Sequence, residues 1–190
     1  MNNSLPEPHA ALREELVTYR AADVAEERHR LDILQLLDVG SASLTRAHFA
    51  PGHITASAFI VHPATRRLLL HHHRRLNKWL QMGGHVEPGE TAAQAALREG
   101  SEESGLRSLR FLQNNVLDLD IHPIPAGKGE PDHHHFDVRY LLATEDVDSI
   151  RPDPAESIDL RWFGLDEAAN LMGEAGSLRV TEKIRRILKN

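Results

Sequence analysis

Three acidic residues late in the stretch GGHVEPGETAAQAALREGSEESGL, from Gly83 to Leu106, are spaced so that they could act on one ligand. Glu99, Glu102 and Glu103 stand at positions i, i+3 and i+4, so on a helix their carboxylates share one face. Like charges at this spacing repel each other by about a few tenths of a kcal/mol per pair. Divalent cations such as Mg²⁺ take oxygen ligands and bridge carboxylates to phosphates, so a bound cation would turn that repulsion into affinity. A solvated acidic helix face is the alternative interpretation.

The flanking residues predict where this helix begins and ends. Thr91 and Gln94 form a Thr-x-x-Gln capping box, which is typical of a helix N-terminus. Gly105 suits the left-handed conformation that follows a helix C-terminus. We expect the helix to pack on a sheet through one stripe of small and apolar residues, namely Ala93, Ala96, Leu97 and Gly100.

The loop before the helix is rich in glycine, and a solvated acidic face does not account for it. Gly83, Gly84 and Gly89 surround Pro88 in a strand-to-helix turn. Because glycine has no Cβ, the backbone of such a loop can approach a ligand closely. The loop and the helix are therefore predicted to form one binding site.

Read from Gly84, the stretch resembles the Nudix box of the Nudix hydrolases. Gly84 is followed by five residues, then Glu90, then seven residues, then REGSEESGL, where the family has Arg-Glu-apolar-x-Glu-Glu-x-Gly-apolar. Gly100 stands at a position that is usually apolar, and Met82 at one that is often proline. The resemblance implies an α/β fold, the α/β/α Nudix sandwich with a mixed sheet, over residues 51–190. Residues 1–50 are predicted to form an N-terminal helical extension.

The resemblance also implies a chemistry: hydrolysis of a diphosphate (pyrophosphate) bond that links a nucleoside diphosphate to another moiety, with Mg²⁺ or Mn²⁺ as cofactor. The catalytic residues that it implies are Glu99, Glu102, Glu103 and Arg98. The implied metal ligands are the Gly84 carbonyl and the carboxylates of Glu99, Glu102, Glu103 and Glu156. Glu90, as the partner of Arg98, and Gly105 take structural roles.

Residues outside the box supply further candidates. Glu156 precedes the last predicted strand, where some relatives have a metal-binding glutamate, and an exposed loop acid is the equal alternative. Arg74, Arg75 and His135 are predicted to bind substrate, with an ordinary basic loop as the alternative for the arginines. Glu130 and Asp132 compete less well for the role of base.

Two runs of three histidines, at 71–73 and 133–135, invite a zinc hypothesis. Neighbouring side chains of a strand point to opposite faces, so the three members of one run cannot bind a single ion. We therefore expect one or two of these histidines to line the substrate pocket, as phosphate donors or stacking surfaces, with a structural zinc site as the less favoured alternative.

The remaining predicted elements frame the site. Helices are expected before Asp38, and a hairpin is expected from the segments HITASAFIVH and RLLLHHH around the turn PATR. Further strands are predicted at 79–82, 109–119, 136–143 and 160–163, and helices at 165–172 and 180–188. The interrupted segments at 121–134 and 145–157 are predicted loops.

The composition of the chain restricts the kinds of ligand and partner that we expect. The chain has 190 residues, a net charge of −6 and no cysteine, so thiolate metal sites and cysteine nucleophiles are excluded. With no net positive charge and no long apolar run, we expect no nucleic-acid or membrane partner and a cytoplasmic location. A nucleotide is the expected small-molecule partner, and a homodimer is expected from the family only.

The substrate is less well determined than the reaction. Pro123 lies near a proline associated with ADP-ribose pyrophosphatases, which favours ADP-ribose or a sugar nucleotide. Dinucleoside polyphosphates, oxidised nucleoside triphosphates and coenzyme A stay open. The alternative function is a non-catalytic, nucleotide-sensing Nudix-like domain, which the complete set of box acids disfavours.

Overall fold

The computed structural model describes residues 7–127 and 129–189. Within them the helices are α1 Pro8–Thr18, α2 Val24–Leu37, α3 Ala92–Ser104, α4 Leu165–Met172 and α5 Ser177–Ile187, with a 3₁₀ turn at Gly40–Leu44. The strands are β1 Gly52–His62, β2 Arg67–His73, β3 Lys78–Leu80, β4 Met82–His85, β5 Arg110–Phe111, β6 Asp118–Ile124, β7 His133–Ala143 and β8 Ser157–Gly164.

Strand β1 is the centre of one mixed sheet. It pairs in parallel with β7 along one edge, and antiparallel with β2 and β4 in succession along the other. Strands β5 and β6 extend the sheet from β7, while β3 and β8 extend it from β2. The sheet is therefore of the mixed α/β type that the sequence predicts.

Helices cover both faces of the sheet. On one face Ala56, Ala58 and Ile60 of β1 join a core that includes residues of α1, α2 and α3. On the other face Phe59 and Val61 join a core with α4 and α5. This arrangement confirms the predicted α/β/α sandwich. The second face becomes polar toward the start of β1, where the alternation of the strand continues through His53, Thr55 and Ser57.

Most predicted elements are confirmed, with two corrections in the sheet. The strand predicted at 79–82 divides into β3 and β4, and the one predicted at 109–119 is replaced by the short β5 and by β6. Strand β6 runs on to Ile124, so the predicted loop at 121–134 is shorter than expected. Pro123 is tolerated because, among the described residues, β6 pairs only with β7 and its other edge needs no N–H donor.

Helix α3 is rotated relative to the predicted packing stripe. Ala96 and Gly100 are buried as expected, but Ala93 and Leu97 are only half-buried. The buried face is completed by Ala92, Ala95, Glu103 and Ser104. Gly100 is explained by a close approach to the sheet, since an added Cβ would lie 3.1 Å from the Ala58 Cβ.

A set of charged side chains in the interior joins α2, β6, β7 and α5; we call it the buried ionic network. Its members are Glu26, Asp118, Asp120, Asp137, Arg139, Arg179 and Lys183. Lys183 of α5 bonds to Glu26 of α2 and lies 2.9 Å from Asp118 of β6. Arg139 of β7 contacts Asp137, Asp120 and Asp118 at 3.0, 3.0 and 3.4 Å. The network therefore connects the N-terminal helices to the sheet.

The N-terminal helices also share the apolar core of the sheet through residues such as Leu16 and Ile33. Val24 and Leu31 of α2, by contrast, are exposed. The domain division at residue 50 stays a prediction, as do the homodimer and the cytoplasmic location. Across residues 7–127 and 129–189, no helix combines the length and the apolarity needed to cross a membrane.

Candidate active site

The acids of the box are presented by α3, whose ends are fixed as the sequence predicts. The Thr91 hydroxyl accepts the Gln94 N–H, and the Gln94 side chain accepts the Thr91 N–H. Gly105 closes the helix with a φ of 73°, and its N–H donates to the Ser101 carbonyl. Because both ends of α3 are fixed, the rotation of the helix about its own axis determines which acids point to the protein interior.

The three acids differ in burial. The side chain of Glu99 is 16% exposed, that of Glu102 is 59% exposed and that of Glu103 is 10% exposed. They therefore form a gradient from the protein interior to solvent rather than one exposed acidic face.

Arg98 holds the acids and the preceding loop together; we call its contacts the Arg98 clamp. Its Nε and Nη2 donate to the two oxygens of Glu90, both at 3.0 Å. Its Nη1 reaches Glu99 at 2.8 Å and Glu102 at 3.2 Å, while Nη2 also donates to the His85 carbonyl. Burial alone would raise the pKa of Glu90, but the hydrogen bonds from Arg98 and from the Glu87 N–H, together with the charge of Arg98, lower it.

The glycine pair of β4 lies directly against these acids. A Cβ added to Gly84 would stand 2.3 Å from Glu99 Oε1, and one added to Gly83 would stand 2.5 Å from the Ser57 hydroxyl. Any larger residue at 84 would therefore occupy the space of the Glu99 carboxylate. Close approach of the backbone, which the glycine-rich sequence predicts, is what the structure shows here.

Glu103 is the most perturbed acid of the site. Burial, followed by the negative charge of Glu99, raises the pKa of Glu103 to about 8. Its Oε2 accepts the Gly83 N–H at 3.3 Å and lies 3.9 Å from His71 Nδ1. Burial lowers the pKa of His71 to about 4, so this imidazole is neutral near pH 7 and offsets no charge. Among the described residues, Glu103 has no cationic partner.

This geometry agrees with a family assignment over most of the chain. The NUDIX domain matches residues 51–184. The chain belongs to the Nudix family.

Relatives of this chain are named for different substrates. The chain is 32% identical to the probable DHNTP pyrophosphohydrolase of Lactococcus lactis over 155 residues, which are 75% of this chain and 81% of that protein. It is 29% identical to the m7GpppN-mRNA hydrolase NUDT17 of Xenopus laevis over 149 residues, 72% of this chain and 50% of that protein. The chain thus spans about half the length of the frog and zebrafish relatives that it matches.

Solved Nudix structures share the fold. An Ap4A hydrolase from C. elegans superposes with a TM-score of 0.59 at 22% identity, covering 72% of this chain and 97% of that one. A NUDIX-family hydrolase from Clostridium perfringens superposes with a TM-score of 0.53 at 30% identity, covering 71% and 97%.

The donor set of the Nudix box fits a hard divalent cation. Glu99, Glu102 and Glu103 supply carboxylate oxygens, and Gly84 has the backbone closeness that a carbonyl ligand needs. Burial also raises the pKa of Glu99, although Arg98 partly offsets it. A cation would supply the positive charge that the buried acids lack.

The predicted residues outside the Nudix box take different positions. Glu156 is exposed, and its charge contributes to the raised pKa of Glu103. Arg74 donates from its side chain to the Pro154 and Ser157 carbonyls and from its backbone to the Glu156 carbonyl, so it holds the loop that carries Glu156. Arg75 is exposed.

His135 lies in a group of histidines that sequence reasoning did not bring together. One ring nitrogen from each of His53, His85 and His135 lies within 4.8 Å of the others; we call these residues the histidine trio. His53 and His135 are register partners in the parallel pair of β1 and β7. Burial lowers the pKa of both, which favours neutral imidazoles.

Polar side chains continue along the same face of β1 and β7. Asp137 accepts hydrogen bonds from the Ser57 hydroxyl at 2.9 Å and from the Thr55 hydroxyl at 3.1 Å. The alternation of polar residues in HITAS and in HHHFDVR could have revealed this face from the sequence. The partner strand and its register could not be read from either segment alone.

Proposed function

We propose that this protein is a divalent-metal-dependent Nudix pyrophosphohydrolase that cleaves the diphosphate bond of a nucleoside diphosphate linked to another moiety. The observation that carries the proposal is Glu103, a buried carboxylate that no cation among the described residues compensates. Burying an unpaired charge is costly, and such groups persist where a ligand or metal completes them.

The ligands proposed for Mg²⁺ or Mn²⁺ are Glu99, Glu102, Glu103 and the Gly84 carbonyl, with Glu156 as a further carboxylate. When bound, such a cation neutralises phosphate oxygens and positions the diphosphate for attack by water. The Arg98 clamp would keep Glu99 and Glu102 in place while substrates enter and leave.

The chain's own acids would handle the proton of the reaction. A water oxygen forms a bond to one phosphorus, the bridging P–O bond breaks, and the leaving phosphate takes the bond's electron pair. The proton of the water would pass to a carboxylate of the site, and Glu99 is the one proposed either as a ligand or as the base that orients the water.

Substrate contacts are proposed for Arg75 and His135, with Arg74 acting through the loop that it holds. Arg75 is free to reach an outer phosphate from an exposed position. His135 faces the polar side of β1 and β7, beside His53. The side chain of Arg74, by contrast, donates its hydrogen bonds to backbone carbonyls, so Arg74 would position Glu156.

For the substrate class, relatives point to several nucleotides. They include a bis(5'-nucleosyl)-tetraphosphatase, an NAD-capped RNA hydrolase and an m7GpppN-mRNA hydrolase. ADP-ribose or a sugar nucleotide stays the preferred substrate of the proposal. Capped RNA ends are a second candidate because of the named relatives, although the net charge of −6 gives no general attraction for RNA.

The test is a substrate panel run with Mg²⁺ and with Mn²⁺. ADP-ribose, a sugar nucleotide, Ap4A, dihydroneopterin triphosphate, NAD and a cap dinucleotide are incubated with the native protein, Glu103→Gln and Glu87→Gln. Glu87 is the matched control, because it is an exposed glutamate of the same stretch. We expect at least one compound to be cleaved, and Glu103→Gln to be on the order of 10³-fold slower than Glu87→Gln.

Two results would overturn the proposal. If no compound is cleaved but one of them binds, the nucleotide-sensing alternative replaces catalysis. If Glu103→Gln cleaves as fast as Glu87→Gln, the buried carboxylate is not part of the machinery.

A further inference from the structure

The histidine trio lies outside the carboxylate site and has a different ligand chemistry. His53 comes from β1, His85 from β4 and His135 from β7, so three adjacent strands each contribute one imidazole. The trio does not draw on the histidine runs as units, in keeping with the alternation of side chains along a strand. Three converging nitrogens are typical of a site for a borderline metal such as Zn²⁺ rather than for Mg²⁺.

His53 gives the strongest sign of a missing ligand. Its side chain is fully buried, and its Nε2 has no hydrogen-bond partner among the described residues. Its Nδ1 lies 3.2 Å from the His48 carbonyl, which can only accept, so Nδ1 carries the proton. The Nε2 lone pair is therefore free, buried and fixed in orientation, as in a histidine held for metal ligation.

The surroundings of the trio complete such a site. His133 stacks on His53 with ring centroids 5.1 Å apart, and Phe49 contacts both rings edge-on. The His133 Nδ1 is itself fixed by the Pro131 carbonyl at 2.8 Å. Packed within these rings, the His53 side chain has no surface exposed to bulk solvent.

We propose that the histidine trio binds one transition-metal ion, with Zn²⁺ as the reference ion, and leaves a fourth coordination position for solvent or another ligand. In a tetrahedral site the ligand nitrogens stand about 3.3 Å apart, given Zn–N bonds of about 2.0–2.1 Å. The separations of up to 4.8 Å observed without an ion are closed by small rotations of half-buried His85 and His135. His85 directly follows Gly84, so the ion would also fix the backbone beside the carboxylate site.

The experiment uses Co²⁺ as a visible stand-in for Zn²⁺. Chelator-stripped full-length protein is first saturated with Mg²⁺ to fill the oxygen site, and Co²⁺ is then titrated while its absorption spectrum is recorded. We expect one Co²⁺ per chain with the spectrum of a nitrogen-rich, four-coordinate ion, and its displacement by Zn²⁺. His135→Gln and His85→Gln should each weaken binding at least a hundredfold.

Matched controls separate the trio from other sites. His134→Gln changes an exposed neighbour on the opposite face of β7 and should bind Co²⁺ as the native protein does. His72→Gln tests the first histidine run in the same way, and Glu103→Gln should keep the Co²⁺ spectrum even if it abolishes hydrolysis. Circular dichroism and melting curves of the metal-free variants show whether each variant is folded. If His135→Gln is not folded, the test relies on His85→Gln, which changes a half-buried residue.

The proposal is overturned if the Mg²⁺-saturated protein binds no Co²⁺, or if the spectrum shows only oxygen ligands. It is also overturned if a folded His85→Gln variant binds Co²⁺ as tightly as His134→Gln. Because the readout is a spectrum and an affinity, it does not depend on the proposed hydrolase activity.

Discussion

Two charged regions of this molecule are built in opposite ways. The Nudix box draws its acids, its arginine and its glycines from one continuous stretch, and it leaves Glu103 buried without a cation among the described residues. The buried ionic network draws on α2, β6, β7 and α5 and compensates its acids with Arg139, Arg179 and Lys183. The difference shows how a fold separates a ligand site from a structural one: the first keeps a buried acid that no cation compensates, and the second does not.

The comparison predicts its largest effect in the network. Glu26→Gln leaves Lys183 without its anionic partner on α2, and breaking a buried pair costs about 3–5 kcal/mol. Denaturant unfolding should show this loss, while turnover per folded molecule stays near native. Glu27→Gln, which removes a partner of Arg30 at the surface, is the control and should have a much smaller effect. A native unfolding free energy for Glu26→Gln would contradict the structural role of the network.

In the box we expect the reverse pattern. Arg98→Lys keeps a charge but loses the two-pronged contact with Glu90, so Glu99 and Glu102 lose their positioning partner. Activity should fall about 10- to 100-fold, with only a small change in melting temperature. Steady-state kinetics against Arg107→Lys, an exposed arginine just beyond the helix, checks this. Equal activity of the two variants would show that the clamp is dispensable.

Acid should weaken the network in a defined range of pH. Burial alone would raise the pKa of Asp120, but the hydrogen bond from His122 and the charge of Arg139 outweigh burial and lower it to about 2. The stabilisation that this carboxylate provides is therefore present above about pH 4 and is lost as pH falls toward 2.

Asp120→Asn should accordingly lower the unfolding free energy by about 2 kcal/mol at pH 6, since one pKa unit corresponds to about 1.4 kcal/mol. The gap between the variant and the native protein should close as the pH approaches 2. His29 and His122 also face Asp120, so the comparison is repeated in the His122→Gln background, which removes the imidazole hydrogen-bonded to the carboxylate. A gap that is constant from pH 6 to pH 2 would contradict the assignment.

The pH dependence of Glu103 sharpens the comparison most. Because the pKa of Glu103 is raised to about 8, the folded metal-free protein binds an extra proton between about pH 4.5 and pH 8. Stability from this group therefore decreases as pH rises through that range. Glu103→Gln removes this titration, so the metal-free variant should be more stable than the metal-free native protein at pH 8, and the difference should be much smaller at pH 5. Melting curves at both values of pH measure this, and a destabilised variant at pH 8 would show that Glu103 is a structural residue.

The sequence predicted the box and missed the network for a physical reason. The contacts within α3 join residues that are one, three or four positions apart, so the spacing of these residues in the sequence already predicts that they meet. Arg139 meets Asp118 and Asp120 only because β6 pairs antiparallel with β7, in a register that no local pattern specifies. The histidine trio was missed for the same reason, since it needs the register of three strands.

The rotation of α3 was also beyond local reasoning. Periodicity placed small residues on the sheet but could not predict that Glu103, a charged residue, would turn inward with them. A scale that penalises buried charge excludes such a residue from a core face. Local rules thus fail first where a ligand, rather than packing, accounts for the burial.

The bond between Glu26 and Lys183 has a consequence for how this lineage can change. Neither residue can be lost alone without changing the charge balance of the buried ionic network, and 157 positions separate them in the chain. Substitutions at the two positions should therefore have spread together, so relatives with a neutral residue at one are expected to be neutral at the other. Position 26 of α2 and position 183 of α5 would then change together during evolution.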